Sequence, residues 1–573
     1  MRLLLVAINA KYIHSNLAVH SLRAYAKKHG YADAVSLAEF TINHSQEDIL
    51  RGIYKEKADV IAFSCYIWNI EIVLRLTKEL RKIVPEAKLW LGGPEVSYDP
   101  KECLTKNPEV EGLMLGEGEQ TFLELIQFYR DNRSGLDRIS GIAFRQENQI
   151  VISAPRELLT LADIPFPYDD LSDFKNRIIY YESSRGCPFA CSYCLSSVDK
   201  RIRFRDISLV KKELQYLLDQ QVPQVKFVDR TFNCNKAHAM AIWRYIKEND
   251  NGITNFHFEI AADLLEEDEI SLLATLRPAQ VQFEIGVQST NPETVGAIHR
   301  KMDLVRLKSN VERIREGKNI HQHLDLIAGL PLESYNSFEQ SFQEVYEMMP
   351  DQLQLGFLKV LKGSPMEADC NAYGIVYREN PPYEVLLTRD LSYEELLKLK
   401  GICEMVEIYY NSGQFSKAIS YLGHFYSSPM RLYEELYSYY EGKHMEMLAH
   451  SRIRRYEILL DFYRDQVLPK IRDHSVDKSL WQDLFIEILL MDLFLREDMK
   501  SRPSFAAKQS QKNYKEIYNE YRKQHKLVHI EDFTFDIFAA VAEGKVIRKD
   551  HTILFNYSDR DPITNSSRVT SLQ

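Results

Sequence analysis

Cysteine is scarce in this chain of 573 residues. There are eight, and Cys65, Cys103, Cys234, Cys370 and Cys403 are scattered without the spacing of a disulfide framework. That excludes a disulfide-stapled scaffold and points to reduced thiols in a cytosolic setting. Basic charge is also short: a formal net charge of -10 argues against a general nucleic-acid surface, which normally gathers Lys and Arg on one face. No apolar run reaches the ~20 residues that cross a bilayer. The richest, Leu484 to Leu495, carries Glu487 and Asp492, and the opening Met1-Arg-Leu-Leu-Leu-Val-Ala-Ile run is short and lacks a convincing cleavage site. It reads as a first buried strand. With 45% hydrophobic and 27% charged residues the composition is that of a globular protein, and the length suits about three or four domains.

The three remaining cysteines are concentrated. Cys187, Cys191 and Cys194 stand in Glu182-Ser-Ser-Arg-Gly-Cys-Pro-Phe-Ala-Cys-Ser-Tyr-Cys-Leu, where Arg185-Gly186 and Pro188 make a turn around the first thiol. Electron-transfer clusters take four cysteines and structural zinc takes four ligands, usually as paired CxxC elements. No second CxxC pair and no nearby Cys-His pair completes such a set here. Three thiolates at CxxxCxxC spacing hold three corners of an iron–sulfur cube and leave one iron open to a ligand.

This loop, with Tyr193 before its last cysteine, resembles that of the radical S-adenosylmethionine superfamily. The resemblance implies a [4Fe-4S] cluster on Cys187, Cys191 and Cys194. It also implies S-adenosylmethionine chelated to the open iron and cleaved by one electron to a 5′-deoxyadenosyl radical.

Residues 1 to about 135 alternate short apolar runs (Leu3–Ile8, Ala34–Leu37, Val60–Phe63, Leu89–Leu91, Gly112–Leu115) with helical patterns. One helix starts near Ser15 and stops at Gly30, and another opens on a capping-box-like Ser45-Gln-Glu-Asp48. Such alternation predicts a doubly wound parallel sheet, Rossmann-like, with ligands at the carboxyl ends of its strands. Small residues recur there: Ser64 after the third strand, Gly92-Gly93 after the fourth, Gly116-Glu117-Gly118-Glu119 after the fifth. Each alone reads as turn chemistry. Together, ahead of the cysteine loop, they resemble the cobalamin-binding domain of the B12-dependent branch of the superfamily, which implies cofactor-binding roles for Ser64, Gly92, Gly93, Gly116, Glu117 and Gly118. The DxHxxG motif that supplies a cobalt-ligating histidine is absent. His14, in Tyr12-Ile-His-Ser-Asn16, does not replace it, so cobalamin is expected without histidine ligation.

Residues 136–172 read as a hairpin, Gly141–Arg145 with Gln149–Ser153, and a linker punctuated by Pro155, Pro165 and Pro167. Over 173–390 the β/α pattern resumes, with strands at Ile178–Glu182, Val225–Val228, Phe256–Ile260, Val281–Ile285, His323–Ile327 and Leu353–Leu358. That predicts a partial (β/α)6 TIM-like barrel whose strand ends carry the site. The resemblance assigns S-adenosylmethionine contacts to Tyr193, Asp229, Glu259, Glu284 and Gln288, with the Asp325–Pro331 stretch and Glu333 on the fifth strand. Lys359 and Lys362 read as solvated.

Residues 391–573 change to Tyr- and Glu-rich helices from a capping box at Ser392-Tyr-Glu-Glu395 through roughly Arg522, a mainly α-helical domain. A closing hairpin of Gly544–Arg548 against His551–Tyr557 follows. Tyr409, Tyr410, Tyr426, Tyr433, Tyr437, Tyr439 and Tyr440 read as packing, and Lys500 and Arg502 as solvated surface.

The resemblance implies a B12-dependent radical enzyme that transfers a methyl group to, or cyclises or rearranges, a small-molecule or peptide substrate. Its electrons would come from an external flavodoxin- or ferredoxin-like reductant, with no membrane and no nucleic acid as partner. A methylthiotransferase acting on RNA or protein would need three further N-terminal cysteines, where this domain has only Cys65 and Cys103. A non-catalytic cobalamin or redox sensor would bind cofactors without turnover.

Overall fold

The structure, a computed structural model, describes residues 1–131, 135–147, 149–446, 448–472, 476–499, 501–506, 519, 521 and 527–572. The N-terminal sheet contains β1 (Leu3–Asn9), β2 (Val35–Thr41), β3 (Val60–Ser64), β4 (Lys88–Gly92), β5 (Gly112–Met114), β6 (Ile142–Gln146) and β7 (Gln149–Ile152). Their order is β2-β1-β3-β4-β5-β6-β7, with β1 to β5 parallel and β6 and β7 antiparallel. Every residue of β1 is buried, as an uninterrupted apolar run in a sheet covered on both faces must be. The hairpin expected as part of the linker therefore extends this sheet, pairing β6 with β5.

Strand order reverses at β1, which has β2 on one side and β3 on the other. The crevice of a doubly wound fold opens at such a switch point. Asn16 caps the helix Leu17–Lys28 by accepting from Val19 N, and its Nδ2 donates to Ser64 Oγ at 3.3 Å. Asn69 Nδ2 and Trp68 Nε1 both donate to Ile8 O at 3.0 Å. These bonds tie the loops after β1 and β3 together across the crevice.

The second sheet holds β8 (Ile179–Tyr181), β11 (Gln224–Phe227), β12 (Asn255–Ile260), β13 (Val281–Gln288), β14 (Ile320–Ala328) and β15 (Gln352–Phe357), all parallel in the order β15-β14-β13-β12-β11-β8. Among the described residues β8 and β15 do not pair, so the barrel is partial. A two-strand ribbon, β9 (Ser184–Arg185) with β10 (Arg203–Phe204), brackets the cysteine loop. In β13, Val281, Phe283, Ile285 and Val287 are buried while Gln282, Glu284, Gly286 and Gln288 between them are half-buried. Alternation of this kind puts the apolar set under the helices and the polar set on the concave side.

The two sheets are joined where His14 bridges Ile178 in parallel, with Ile178 N donating to Ile13 O at 2.8 Å. Tyr180 Oη lies 2.6 Å from His14 Nδ1. His14 is thus an anchor to the first barrel strand.

After the ribbon β16 (Val376–Tyr377) with β17 (Val385–Leu387), the C-terminal region is helical from Tyr393, opening on the Ser392–Glu395 capping box. Tyr409, Tyr433 and Tyr440 are fully buried, and the apolar Leu484–Leu495 run lies inside the helix Lys478–Arg496. The barrel core and this helical core form one continuous apolar cluster. No helix among the described residues is long and apolar enough to cross a membrane.

The ending differs from expectation. His551–Tyr557 belongs to β19 (Arg548–Arg560), paired antiparallel with β18 (Val528–Phe535) and β20 (Ser567–Leu572). Gly544 instead ends the helix Ile537–Glu543 at φ 65°, and of Gly544–Arg548 only Arg548 lies in a strand. Arg502 is not free surface either, because its guanidinium makes two bonds to the buried Glu531. Arg522 and Lys500 lie outside the described residues.

Candidate functional site

The cysteine loop leaves β8 and returns through β10. Gly186 opens it at φ 98°, and a Cβ there would stand 2.2 Å from Arg201 O, so only glycine lets the two arms of the loop approach this closely. Cys187 and Cys191 are buried and Cys194 is half-buried. All three line a cleft of about 880 Å3, its open mouth included, shared with Tyr193, Arg230, Thr231, Glu259, Glu284, Gln288, Arg300 and Asp325 among others. Among the described residues no three His, Cys, Asp or Glu side chains converge as a single metal ion would require. The thiols are spaced around the wall of a wider space.

Of the barrel residues singled out in the sequence, Tyr193, Glu259, Glu284 and Gln288 are brought to this cleft. Glu284 accepts from Lys226 Nζ at 3.0 Å and stands 2.9 Å from His257 Nε2. Those two partners outweigh burial and hold its carboxyl down at about 2. Burial, with Glu284 next, pushes Glu259 up, and burial with Glu284 and Glu259 raises Asp325 to about 8. Gln288 sits at φ 73°, just past a register shift in β13.

Asp229 stands elsewhere. It is 1% exposed, and the cleft wall at its strand end is made by Arg230 and Thr231. Its Oδ1 accepts from Ser183 Oγ at 2.7 Å and Ser184 Oγ at 2.6 Å, and its Oδ2 from Ser183 N at 3.0 Å. It therefore braces the backbone entering the cysteine loop. Glu333 is likewise engaged, by Ser289 Oγ at 2.6 Å and Ser341 Oγ at 3.1 Å, and Lys362 lies over the Tyr383 ring.

Arg300 escaped the sequence reading. Its Nη1 lies 3.9 Å from Cys191 Sγ and 3.4 Å from Tyr193 Oη, and its Nη2 donates to Gly286 O. Burial pushes the Cys191 thiol up, and this guanidinium works against that. Nothing in His299-Arg300-Lys301 marks it, since its partners lie in the cysteine loop and on β13.

In the N-terminal sheet, Ser64, Gly92, Gly93, Gly116, Glu117 and Gly118 stand at or just after the ends of β3, β4 and β5. Gly93, at φ 112°, packs so closely that a Cβ would meet Cys65 O at 2.4 Å, whereas the corresponding space at Gly116 is open. Tyr66 and Trp68 stack at 4.5 Å beside the switch point, with Trp68 42% exposed. Glu117 is bound into ion pairs with Arg203 and Arg185.

Three family models match successive parts of the chain. That of the B12 binding domain matches residues 3–126, that of the radical SAM superfamily 181–345, and that of a protein of unknown function (DUF4080) 371–565. The chain thus carries a B12 binding domain followed by a radical SAM domain. It is similar to the cobalamin-dependent radical SAM methyltransferase TokK of Streptomyces tokunonensis, at 23% identity over 72% of this chain and 66% of that one. The 2-(S-pantetheinyl)-carbapenam-3-carboxylate methyltransferase of Streptantibioticus cattleyicolor is 24% identical over the same shares. An anaerobic magnesium-protoporphyrin IX monomethyl ester cyclase of Synechocystis is 28% identical over 49% of this chain and 58% of that one. The chain thus spans 66% of the length of the first two relatives.

Among solved structures, OxsB with aqua-cobalamin bound superposes with a TM-score of 0.60 at 13% identity, covering 85% of this chain and 80% of that one. TsrM from Kitasatospora setae gives 0.55 at 16%, covering 67% and 79%. These likenesses establish the fold.

The two domains call for a [4Fe-4S] cluster, S-adenosylmethionine and cobalamin, and the residues present fit them. Three thiols without disulfide partners share one cleft. Gln288 Oε1 and Arg300 Nε, both buried and both on cleft-lining residues, lack a hydrogen-bond partner, as the wall of a polar-ligand site would. The close-packed Gly93 and open Gly116 make a strand-end cradle beside the switch point.

Proposed function

We propose that this protein is a cobalamin-dependent radical S-adenosylmethionine methyltransferase acting on a small-molecule or peptide substrate. The observation that carries the reading is the convergence of Cys187, Cys191 and Cys194 on a cleft whose other wall presents unpartnered polar atoms. Bound together, the three groups supply one-electron reduction, hydrogen abstraction and a transferable methyl group, while the protein fixes geometry. Cys187, Cys191 and Cys194 would hold the cluster, with Arg300 beside Cys191. Glu259, Gln288 and Asp325 would hold the polar parts of S-adenosylmethionine and substrate against the cleft wall. Ser64, Gly92, Gly93, Gly116 and Gly118 would cradle cobalamin, with no histidine on cobalt. Asp229 would act through the serines entering the cysteine loop, and the electron would come from a flavodoxin- or ferredoxin-like partner.

Methylthiotransfer is disfavoured, because Cys65 is wholly buried and Cys103 is the only other N-terminal thiol. Anaerobic reconstitution with dithionite, hydroxocobalamin and methyl-labelled S-adenosylmethionine in cell extract tests the reading. Label transferred to a small molecule or peptide supports it. Deoxyadenosine without transferred label replaces methylation by cyclisation or rearrangement, and cobalamin binding with no cleavage at all leaves a sensor.

A further inference from the structure

The arms of the cysteine loop meet as a ribbon in which Arg185 and Arg203 are direct cross-strand partners. Like charges placed so are mutually destabilising, and both side chains are largely buried, 16% and 19% exposed. The compensating carboxylates come mostly from the other sheet. Glu117 pairs with Arg203 and stands 3.2 Å from Arg185 Nη1, and Glu119 Oε1 is 2.5 Å from Arg185 Nη2. Glu182 Oε2 accepts from Arg185 Nε at 2.8 Å. Arg203 Nη1 also donates to Leu159 O, and Ser21 Oγ to Glu119 Oε1 at 3.2 Å. Glu117 and Glu119 flank Gly118 where the loop after β5, which contains the open Gly116, runs into the helix Glu119–Asp131.

We propose that Glu117 is a positioning residue that clamps the base of the cysteine loop, so that a ligand held by the Gly116–Glu119 loop and a cluster held by the cysteines are thermodynamically coupled. The geometry has each site biasing the other through one ion-pair cage. Removing Glu117 leaves two neighbouring buried guanidinium groups competing for Glu119 and Glu182, and the ribbon opens. Such coupling is reciprocal: whatever factor the cluster applies to ligand affinity in the N-terminal domain, the ligand applies to the cluster. The ligand half of this inference rests on the cofactors of the proposed function, whereas the clamp itself rests on the ion pairs alone.

The test uses the full chain, anaerobically reconstituted, and follows loss of cluster absorbance under a chelator. Glu117→Gln is expected to bleach at least about five-fold faster than wild type. Glu124→Gln, which breaks the Arg156 pair on the helix Glu119–Asp131 that follows Glu117, is expected to match wild type, separating the clamp from general weakening of the domain. Glu117→Gln combined with Arg203→Gln removes the repulsion along with its compensation and is expected to recover most of the difference. Bleaching of Glu117→Gln at the wild-type rate, or a double variant no better than the single one, overturns the clamp. Where Glu117→Gln does not accumulate folded, Glu117→Asp takes its place with the same expected order.

Hydroxocobalamin titrations of cluster-loaded protein and of the triple variant Cys187→Ala, Cys191→Ala, Cys194→Ala read the coupling. A difference in affinity of at least about five-fold in wild type, shrinking toward one in Glu117→Gln, is expected. Equal affinities in the cluster-loaded protein and the triple variant, both with Glu117 in place, overturn the coupling. No hydroxocobalamin binding overturns the coupling and the cobalamin reading together, while the chelator series still decides the clamp.

Discussion

Arg300 and Cys191, 109 residues apart in the chain, meet with the guanidinium 3.9 Å from the sulfur. The same side chain reaches Tyr193 Oη and the carbonyl of Gly286. It is a cation fixed by barrel and loop at once, beside a thiol whose burial pushes it up.

Replacing Arg300 with alanine removes a hydrogen bond to a charged acceptor, worth about 1.5 kcal/mol. The cluster midpoint is then expected to move about 60 mV more negative for one electron, read by redox titration followed by electron paramagnetic resonance. Arg300→Lys should recover only part of the shift, because an ammonium cannot reach three partners in one plane. An unchanged midpoint in Arg300→Ala would show that the guanidinium does not face the cluster.

Each of Cys187→Ala, Cys191→Ala and Cys194→Ala should abolish bound iron and S-adenosylmethionine cleavage while the chain still folds. Small thiols at the rim of a cleft contribute little to the barrel core, so far-ultraviolet circular dichroism should match wild type. Iron retained in full by any one variant would remove that cysteine from the ligand set.

Gly93→Ala introduces a Cβ 2.4 Å from Cys65 O at a φ of 112°. The expected cost is about 1–3 kcal/mol of stability for the strained backbone, measured by denaturant unfolding, with weaker hydroxocobalamin binding from a displaced cradle. Gly116→Ala, where the space is open but φ is 72°, should cost less.

Asp229→Ala leaves three buried donors at Ser183 and Ser184 without their acceptor. A loss of about 1–3 kcal/mol is expected, together with lower iron content after reconstitution. S-adenosylmethionine affinity of whatever cluster-loaded fraction remains should be close to wild type, since the carboxylate faces the loop base. A selective loss of that affinity would return Asp229 to the ligand.

Asp325 gives the cofactor-free protein a pH dependence. Its carboxyl is raised from 3.8 to about 8 by burial first and by Glu284 and Glu259 next, so the native form keeps a proton that the unfolded chain releases. Its contribution to stability is whole below about 4, declines as pH rises, and is gone above about 8. Between pH 5 and 8 the thermal midpoint of Asp325→Asn should fall less steeply than that of wild type. Parallel slopes would show that the carboxyl is already ionised in the folded protein.

β1 was legible in the sequence because a parallel strand covered on both faces must be a short apolar run, and β13 because its apolar residues alternate with polar ones. Caps and stops were legible for an equally local reason: Ser45 and Ser392 accept from backbone N–H groups within three residues, and Gly30 takes the φ of 89° that other residues resist. Gly544 was misread where two local readings compete: a glycine between charged residues marks a hairpin turn as readily as a helix end, and only its φ of 65° after Ile537–Glu543 decides. The bonds from Ser183 and Ser184 to Asp229 were not legible, because the strand pattern places Asp229 just past β11 and says nothing of which side chains reach it.

The sequence by itself determined the chemistry that can occur. Three thiols at a fixed short spacing, a glycine that lets the loop close and small residues at strand ends are properties of neighbouring positions, and they survive without knowledge of the fold. Only the tertiary structure decided what surrounds that chemistry. Arg300 beside Cys191, and Glu117 and Glu119 around Arg185 from another sheet 66 or more residues away, pair because packing of the barrel and docking of the N-terminal sheet carry their backbones together. Opposite charges distant in the chain hold no preference for one another until burial removes the water that would otherwise solvate each.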